Sequence, residues 1–439
     1  MDEASGIAGV ERGIGRVQTP PGTPAGEHWR YGTGFFFQVS SDQAALAVGI
    51  HRVSAHSWDY EMGTDLILFD DPRALIAEGA IAVSRNHREQ HPRLGTPVTM
   101  VKYPLHPGFI PIGARQADGA PHPHAGTGFG LCQAMANDVE EAAARGERRH
   151  TYDLKGDNLH AYFELAQFQH DGRSVVAAPP ERLAFDALLP GVRLTGTGLS
   201  CPIADGEDLL LPMVSGRAAG VARWRRGARG WRPVEFSPVN GEELSFSEPS
   251  LVRDADGALL FTGRPGGAHI DDVLIWRSGD GGATWARIIQ APHIRQASPV
   301  ALHQAADGTP YVACNQSLRN FINCGGALSE GQFREILCLW PLKDDRAGLG
   351  NPFFVCVPRY DYGPPRHGYE WYVDHPLGAT LRLAGRWRHL LGYRIMAIAE
   401  GLGQGFPPTP HSGLHVSEVL SAGPARAPWL FLSSQVKRR

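Results

Sequence analysis

The sequence predicts an all-β protein, a six-bladed β-propeller with seven blades as the alternative, and three observations carry this prediction. Glycine and proline, 53 and 34 of the 439 residues, are spread along the whole chain. Three segments repeat at equal intervals around an Asp-Gly pair. One further segment fits a known hairpin-turn motif at every defined position. Many regularly spaced turns between short apolar segments are typical of repeated antiparallel sheets.

The repeat is clearest in the middle of the chain. The pairs Asp205-Gly206, Asp256-Gly257 and Asp307-Gly308 follow one another at intervals of 51 residues, each between two apolar segments. Glycine adopts positive φ without steric cost, so each pair predicts a tight turn between two strands. A repeat of about fifty residues matches one propeller blade. A plain antiparallel sandwich is the alternative, but it does not require equal spacing.

The remaining elements extend this reading to a single domain over residues 1–439. Residues 1–25 are rich in glycine and proline and predict a flexible N-terminal segment. Two strands are predicted at Gly34–Val39 and Ala44–Arg52, and a surface helix is predicted at Asp138–Arg148. Two long insertions are predicted at Leu318–Gly350 and Gly363–Glu370.

Composition excludes several classes of function. The net charge of −3 does not indicate a nucleic-acid-binding surface. The six cysteines form no CxxC pair, so we expect no zinc site, no other metal and no cofactor. No apolar run reaches the length of a membrane span, and no apolar signal-peptide core is visible. As given, the chain is expected to be cytoplasmic, or secreted if its start is truncated. The oligomeric state is not predicted.

The turn motif is Ser278-Gly-Asp280-Gly-Gly282-Ala-Thr284-Trp285, which fits Ser-x-Asp-x-Gly-x-Thr-Trp, the Asp-box. We expect the Asp280 carboxylate to accept backbone N–H groups and Trp285 to pack between strands. This motif indicates a fold and not a catalytic role for Asp280, because it forms the outer rim of a blade.

The stretch from Ser247-Glu248-Pro249-Ser250 through Thr262-Gly-Arg264, followed by the Asp-box, resembles the sialidase superfamily of BNR-repeat propellers. The match covers about a hundred residues. In that family the glutamate supports a tyrosine nucleophile and the arginine helps to bind the substrate carboxylate. The resemblance therefore implies Glu248 as a catalytic residue and Arg264 as a substrate-binding one.

The chain departs from this family in the first blade. Sialidases usually carry Arg-Ile-Pro there, whereas this chain has Phe109-Ile110-Pro111. One arginine of the family's carboxylate clamp is then missing, or it is supplied by Arg115. A bidentate arginine is hard to replace, so the expected substrate shifts away from ordinary sialic acids.

His122 and His124 form the first candidate cluster, in Ala-Pro-His-Pro-His-Ala followed by alternate glycines. On a strand the two histidines would share one face, which we expect to point toward the axis. His124 is then a catalytic candidate and His122 a substrate-binding one. A turn with solvated histidines is the alternative.

Tyr369-Glu-Trp371-Tyr372-Val-Asp374-His375-Pro376 is the second cluster. Trp371 and Tyr372 suit a sugar platform, and Asp374 or His375 could act as acid or base. A packed strand entry with a structural aspartate turn is the alternative.

Arg394 is the third candidate, because Tyr393-Arg394 ends a strand as Arg264 does. Two such arginines would converge on a carboxylate ligand. Tyr393 is the lesser candidate, as a nucleophile or base, since adjacent strand residues face opposite ways. Two weaker polar stretches, Ser54–Glu61 and His411–Glu418, more simply form loops and rims.

These clusters predict a carbohydrate-active enzyme, in the first place a sialidase-like glycoside hydrolase acting on a carboxylate-bearing glycan. A propeller polysaccharide lyase that uses histidine, tyrosine and arginine on a uronate is the second reading. A glycan-binding propeller without catalysis is the third, because propellers host many functions.

Overall fold

The computed structural model describes most of the chain. The described residues are 6–18, 29–52, 61–76, 79–146, 154, 156–216, 218–241, 244–295, 298–316, 334–365, 369–399 and 409–425. They form an all-β protein with the architecture of a β-propeller. None of the helices among them is long and apolar enough to cross a membrane.

The described strands form six antiparallel sheets, which we number in chain order. Sheet 1 contains β2 (Trp29–Gln38), β3 (Ala44–Arg52), β4 (Glu61–Phe69) and β5 (Ile81–Arg85). Sheet 2 contains β6 (His87–Gln90), β7 (Pro97–Lys102), β8 (His106–Ile110), β9 (Thr127–Asn137), β10 (Ala161–His170), β11 (Val175–Ala177) and β12 (Glu181–Leu183). Sheet 3 contains β13 (Leu194–Thr197), β14 (Ile203–Asp205), β15 (Asp208–Ser215), β16 (Ala218–Gly227) and β17 (Gly230–Pro238).

The second half of the chain is more regular. Sheet 4 contains β18 (Phe246–Arg253), β19 (Leu259–Pro265), β20 (Val273–Ser278) and β21 (Ala286–Ala291). Sheet 5 contains β22 (Val300–Gln304), β23 (Pro310–Gln316), β24 (Ile336–Pro341) and β25 (Phe353–Cys356). Sheet 6 contains β26 (Tyr369–Leu383), β27 (Arg386–Ala399) and β28 (Gly413–Ser421). The short α-helices are α1 (Val139–Ala144), α2 (Phe185–Leu188) and α3 (Pro358–Tyr362).

Sheet 6 is completed by the other end of the chain. β1 (Ile7–Arg16) pairs antiparallel with β28, so that Val10 lies opposite Val419 and Arg16 opposite His415. An N-terminal strand in the C-terminal sheet closes the ring and leaves no open junction between the first and last sheets. Residues 7–16 are thus a strand, which corrects the expectation that residues 1–25 form one flexible segment.

The three predicted Asp-Gly hairpins are confirmed. Each connects an innermost strand to the second strand of its sheet: β14 to β15, β18 to β19 and β22 to β23. Gly206, Gly257 and Gly308 all have positive φ, 64°, 88° and 94°. These turns lie at one end of the propeller axis, which we call the turn end. The starts of the innermost strands lie at the opposite end.

Apolar side chains fill the axis at mid-height. Phe35, Leu199, Ala301 and Leu377, from the inner segments of sheets 1, 3, 5 and 6, form one buried cluster. This axial plug separates the two ends, so the polar groups at the strand starts and those at the turn end belong to different environments.

The Asp-box has the expected hairpin geometry between β20 and β21. The Asp280 carboxylate accepts hydrogen bonds from the Thr284 backbone N–H (2.9 Å) and from the Ser278 and Thr284 hydroxyls (2.7 and 2.6 Å). These hydrogen bonds, those of Thr284 foremost, hold the pKa of Asp280 well below its ordinary value. Trp285 donates its indole N–H to the Gly282 carbonyl at 3.0 Å. Asp280 therefore supports a turn.

Candidate functional site

The inner strands of sheets 4 and 6 begin with the same local structure. Glu248 and His375 each have a φ of 51°, and each immediately precedes a proline. The ladder slips at both places, between Ser247 and Ser250 and between Asp374 and Leu377. Non-glycine residues rarely adopt this left-handed conformation, and such strain clusters at functional sites. The two bulges therefore mark the end of the axis opposite the turn end as the candidate site.

Each bulge lies opposite an arginine in the same register. Ser247 pairs with Arg264 across β18 and β19, and Asp374 pairs with Arg394 across β26 and β27. The Arg264 Nε atom is 3.0 Å from Glu248 Oε2 and donates a hydrogen bond to Ser247 Oγ at 3.2 Å. About a quarter of the Glu248 side chain and a third of the Arg264 side chain are exposed. This ion pair is accessible to a ligand.

Asp374 is the centre of a buried ion network. It is fully buried and accepts two hydrogen bonds from Arg394, both at 2.8 Å, and a third from Arg334 Nη1 at 2.7 Å. Burial opposes ionisation of this carboxyl, but Arg394 and His375 outweigh it and hold the pKa of Asp374 well below its ordinary value. Two arginines on one carboxylate leave a net positive charge.

His375 lies at the exposed edge of this network, with a fifth of its side chain accessible. Its Nδ1 atom is 3.0 Å from Asp374 Oδ1 and 3.3 Å from Arg394 Nη2. The shorter contact joins the ring to an anion, so we assign the proton to Nδ1, donated to Asp374. The Nε2 atom is then the ring nitrogen left to face a substrate.

Arg295 adds a buried positive charge beside Glu248 and Arg264. It is fully buried and donates to three backbone carbonyls, those of Pro265 (2.9 Å), Asp272 (3.1 Å) and Ser298. Burial lowers the pKa of Arg295 to about 10, a value that still leaves it charged at neutral pH. Its contact with Pro265, which follows Arg264, holds the end of β19 in place.

We call these seven residues the charged end of the axis: Glu248, Arg264, Arg295, Arg334, Asp374, His375 and Arg394. They comprise four arginines and two carboxylates, and the carboxylate of Asp271 in the neighbouring connection also acts on Arg295. The seven residues therefore carry an excess of positive charge. Sequence reasoning missed Arg295 and Arg334, which lie outside any repeat, and residues 317–333 just before Arg334 are outside the described residues.

Tyr393 and Arg394 are neighbours in β27 but face opposite sides. The Tyr393 hydroxyl lies 3.0 Å from Ser417 Oγ, within the core between sheets. Burial raises the pKa of Tyr393 well above its ordinary value. The structure therefore does not bring Tyr393 into the candidate site, where the prediction of a nucleophile or base had placed it.

The aromatic residues before Asp374 are packed as well. Trp371 is buried and donates its indole N–H to the Gly363 carbonyl at 2.7 Å. Tyr372 is fully buried, with the Arg334 guanidinium 4.6 Å from its ring centroid. Neither ring presents an open face, so the expected sugar platform is corrected: Trp371 packs in the core, and Tyr372 supports Arg334 by a cation–π contact.

His122 and His124 lie at the turn end, away from the charged end. Their segment is the connection between β8 and β9 and not a strand, because β9 begins only at Thr127. His122 Nε2 lies 3.0 Å from the carbonyl of Gly206, in the turn of sheet 3. Burial and the nearby Arg226 lower the pKa of His124, whose ring packs on Trp231 at 5.6 Å. The expectation of two histidines on one strand face that points toward the axis is thus corrected.

Arg115 lies in the same connection and is exposed, donating to the Gly119 carbonyl at 2.8 Å. It cannot replace the missing arginine of the clamp from there. Phe109, at the position of that arginine, is buried in β8 and packs on Phe37 with ring centroids 5.8 Å apart. Neither residue contributes charge to the charged end.

Of the two weaker stretches, residues 54–60 lie outside the described residues. His411 stacks on Tyr362 at 4.3 Å, and His415 stacks on Tyr393 at 6.1 Å, so this stretch forms packing contacts.

No group of three or more metal-ligating side chains occurs in the described part of the chain. The five cysteines in that part are all free thiols, and Cys324 lies outside it.

Comparisons with known proteins were made for sequence and for structure. Neither the protein-family models nor the curated proteins gave a match. A Dyadobacter fermentans protein of unknown function superposes with a TM-score of 0.55 over 96% of this chain and 100% of its own, at 13% identity. The NanB sialidase of Streptococcus pneumoniae gives 0.49 over 92% of this chain and 69% of its own, at 12% identity. An α-L-arabinanase of Penicillium chrysogenum gives 0.45 over 93% and 97%, at 10% identity. At such identities a likeness concerns the fold alone.

Proposed function

We propose that this chain is a carbohydrate-active enzyme that acts on an acidic, carboxylate-bearing glycan at the charged end of the axis. The observation that carries the proposal is the placement of Arg264 and Arg394 in the same register of two sheets, each beside a strained residue, Glu248 or His375. Arginine forks match carboxylate geometry, and a carboxylate ligand would offset their excess charge.

Arg264 is the arginine that such a carboxylate meets first. Arg394 and Arg334 are occupied by Asp374 and are almost fully buried, whereas a third of the Arg264 side chain is exposed. The buried arginines then attract the carboxylate through their electrostatic field, because their low-dielectric surroundings screen that field less than water does. Arg264 binds directly and Arg295, Arg334 and Arg394 attract the anion.

The first reaction we propose is glycoside hydrolysis. Glu248, paired with Arg264, is the accessible carboxylate, and the Nε2 atom of His375 donates a proton to the substrate or accepts one from it. Asp374 positions His375, because it accepts the Nδ1 proton and fixes the tautomer. A tyrosine nucleophile, which the family resemblance implies, has no match among the described hydrogen bonds of Glu248.

A uronate lyase is the second candidate, and one observation favours it. His375 is a partly exposed imidazole next to several arginines, and a base beside arginines is what removal of a proton next to an arginine-neutralised carboxylate requires. The same site can also bind a glycan without turnover.

We also propose that each of the six sheets is one blade. Each has an inner strand at the axis, and the four-strand order β18-β19-β20-β21 of sheet 4 recurs in sheets 1 and 5.

Incubation of the purified full chain with sialic-acid- and uronic-acid-containing oligosaccharides tests the proposal. New reducing ends without ultraviolet absorbance indicate hydrolysis, and absorbance of an unsaturated uronate indicates the lyase. Saturable binding without either product would replace the enzyme by a glycan-binding propeller. Equal processing of acidic and neutral oligosaccharides would overturn the acidic-substrate proposal.

A further inference from the structure

In sheets 4 and 6 the carbonyl of the proline that follows the strained residue is contacted from the preceding sheet. In sheet 4 the Leu199 backbone N–H donates to the Pro249 carbonyl at 2.7 Å. In sheet 6 the Nε2 atom of His303, from β22 of sheet 5, lies 3.1 Å from the Pro376 carbonyl oxygen. Both carbonyls come one residue after the residue with a φ of 51°. A histidine side chain in sheet 6 thus stands where sheet 4 uses a backbone amide.

The next inner position of each strand extends the comparison. In sheet 4 the Leu251 N–H donates to the Ser200 hydroxyl at 3.0 Å. At the equivalent position of sheet 6, the Gly378 backbone nitrogen is 3.2 Å from the same Nε2 atom of His303. Sheet 4 therefore provides one group for the carbonyl and another for the amide, whereas sheet 6 provides a single ring nitrogen. A protonated ring nitrogen donates and an unprotonated one accepts, so Nε2 serves only one of its two neighbours.

The proton of His303 is best placed on Nε2. His303 is buried, and burial lowers its pKa to about 4, so the ring is neutral at neutral pH and carries one proton. The contact with Pro376 is the shorter of the two contacts of Nε2. Backbone strain persists only where the surroundings hold it, and the equivalent carbonyl of Pro249 does receive a donor. The strained strand of sheet 6 requires the same support.

Glycine at position 378 allows the ring of His303 to lie against the strand. A Cβ atom there would lie 2.9 Å from His303 Cγ, 2.8 Å from His389 Nε2 and 3.1 Å from the Tyr311 hydroxyl. The Tyr311 hydroxyl is itself 2.6 Å from His389 Nε2, and His389 Nδ1 is 2.8 Å from the Thr380 hydroxyl. These buried contacts enclose the ring of His303 and fix its Nε2 atom beside the bulge.

We propose that His303 is a positioning residue for His375. Its Nε2–H group holds the Pro376 carbonyl, which maintains the strained backbone at His375 and directs that imidazole against Asp374. The proposal rests on the proposed function for the part that His375 plays in turnover, whereas the hold on the bulge involves no substrate. Without the hold, φ at His375 relaxes and the imidazole moves away from Asp374.

Nitrogen NMR of the full chain, labelled with ¹⁵N only at histidine, tests the proposal at about pH 8, where histidines are mostly neutral. It shows which ring nitrogen carries the proton. The signals of His303 and His375 are assigned by their loss in His303→Gln and in His375→Gln. In the wild type we expect the proton on Nε2 of His303 and on Nδ1 of His375. A proton on Nδ1 of His303 would overturn the proposal.

His303→Leu removes the donor and should leave His375 as a mixture of both tautomers. His303→Gln provides an amide N–H at about the same place and should restore the Nδ1–H form of His375. His106→Leu is the matched control, because it removes another buried histidine, whose Nε2 lies 2.6 Å from the Thr197 hydroxyl, and it should leave His375 unchanged. The proposal fails if His303→Leu leaves His375 unchanged, if His106→Leu changes it equally, or if His303→Gln does not restore it. If His303→Leu does not fold, the position of the His303 proton in the wild type still decides.

Turnover of an acidic glycan separates this proposal from the proposed function. His303→Leu should lower kcat by at least about tenfold with KM unchanged, because a misplaced group slows the reaction while Arg264 still binds the carboxylate. His303→Gln should restore kcat. The expected NMR results without turnover by the wild type would support the hold on the bulge and defeat the proposed function. An altered His375 tautomer with unchanged kcat in His303→Leu would defeat the role of His375 in turnover.

Discussion

Glu248 and His375 occupy equivalent positions in two inner strands. Each is the bulged residue before a proline, each has a φ of 51°, and each lies within 3.3 Å of an arginine in the next strand, Arg264 or Arg394. The same backbone geometry thus presents a carboxylate from sheet 4 and an imidazole from sheet 6 at one end of the axis. This arrangement is the basis of the proposed function.

The strain at Glu248 predicts an unusual order of stabilities. Glu248→Ala and Glu248→Gly both remove the carboxylate, but only glycine adopts φ of 51° without steric cost. We therefore expect Glu248→Gly to be more stable than Glu248→Ala by about 1 kcal/mol in urea unfolding. At Ser247, where φ is not positive, the order should be reversed, so that Ser247→Gly is less stable than Ser247→Ala. Equal stabilities of the two Glu248 variants would contradict a strained bulge.

Asp374 predicts a loss of stability in acid. Its pKa is lowered in the folded state, so its ionisation stabilises the fold above the ordinary carboxyl pKa. That contribution disappears as the pH falls below about 4 toward the lowered pKa. The free energy of unfolding of Asp374→Asn should depend less on pH over this range than that of the wild type. Asp157→Asn, 85% exposed, should behave as the wild type, and an identical acid profile for Asp374→Asn would refute the prediction.

Tyr393→Phe separates packing from catalysis. The variant loses the hydrogen bond to Ser417 and should be destabilised by about 1 kcal/mol. Turnover of an acidic glycan should remain within twofold of the wild type, because the hydroxyl lies in the core. A large fall in kcat with intact thermal stability would return Tyr393 to the candidate nucleophiles.

The histidines at the two ends should behave differently. His375→Ala removes the proposed proton-exchanging group and should lower kcat by about a hundredfold or more. His122→Ala removes the contact with the Gly206 carbonyl and should lower thermal stability while turnover of the acidic glycan stays unchanged. His124→Ala should also leave turnover unchanged. The opposite pattern in kcat measurements would move the site to the turn end.

The sequence was informative where local chemistry determines structure. The Asp-Gly pairs at 205, 256 and 307 predicted three hairpins correctly, since glycine permits a backbone that other residues resist. Arg264 and Arg394 could be matched because each follows an apolar stretch, although β27 continues past Arg394 to Ala399 and does not end there as expected. The strand Gly34–Val39 was equally clear from its phenylalanines.

Other features depend on contacts between distant segments. Arg334 reaches Asp374 from sheet 5, 40 positions along the chain, and nothing near Arg334 indicates this contact. Trp371 and Tyr372 were expected to be open because aromatics cluster there, but Gly363 and Arg334, which lie outside their strand, contact them. His122 and His124 were placed on a strand, but the prolines around them favour a turn.

Turnover of a uronate-containing oligosaccharide and of its carboxyl-reduced counterpart, measured side by side, tests the central claim most directly. We expect the wild type to prefer the acidic substrate by at least about a hundredfold in kcat/KM. Arg264→Met should lose most of this preference, and Arg277→Met, which removes an arginine paired with Asp256 elsewhere in sheet 4, should keep it. Equal turnover of both substrates by the wild type, or an unchanged preference in Arg264→Met, would contradict carboxylate recognition at the charged end.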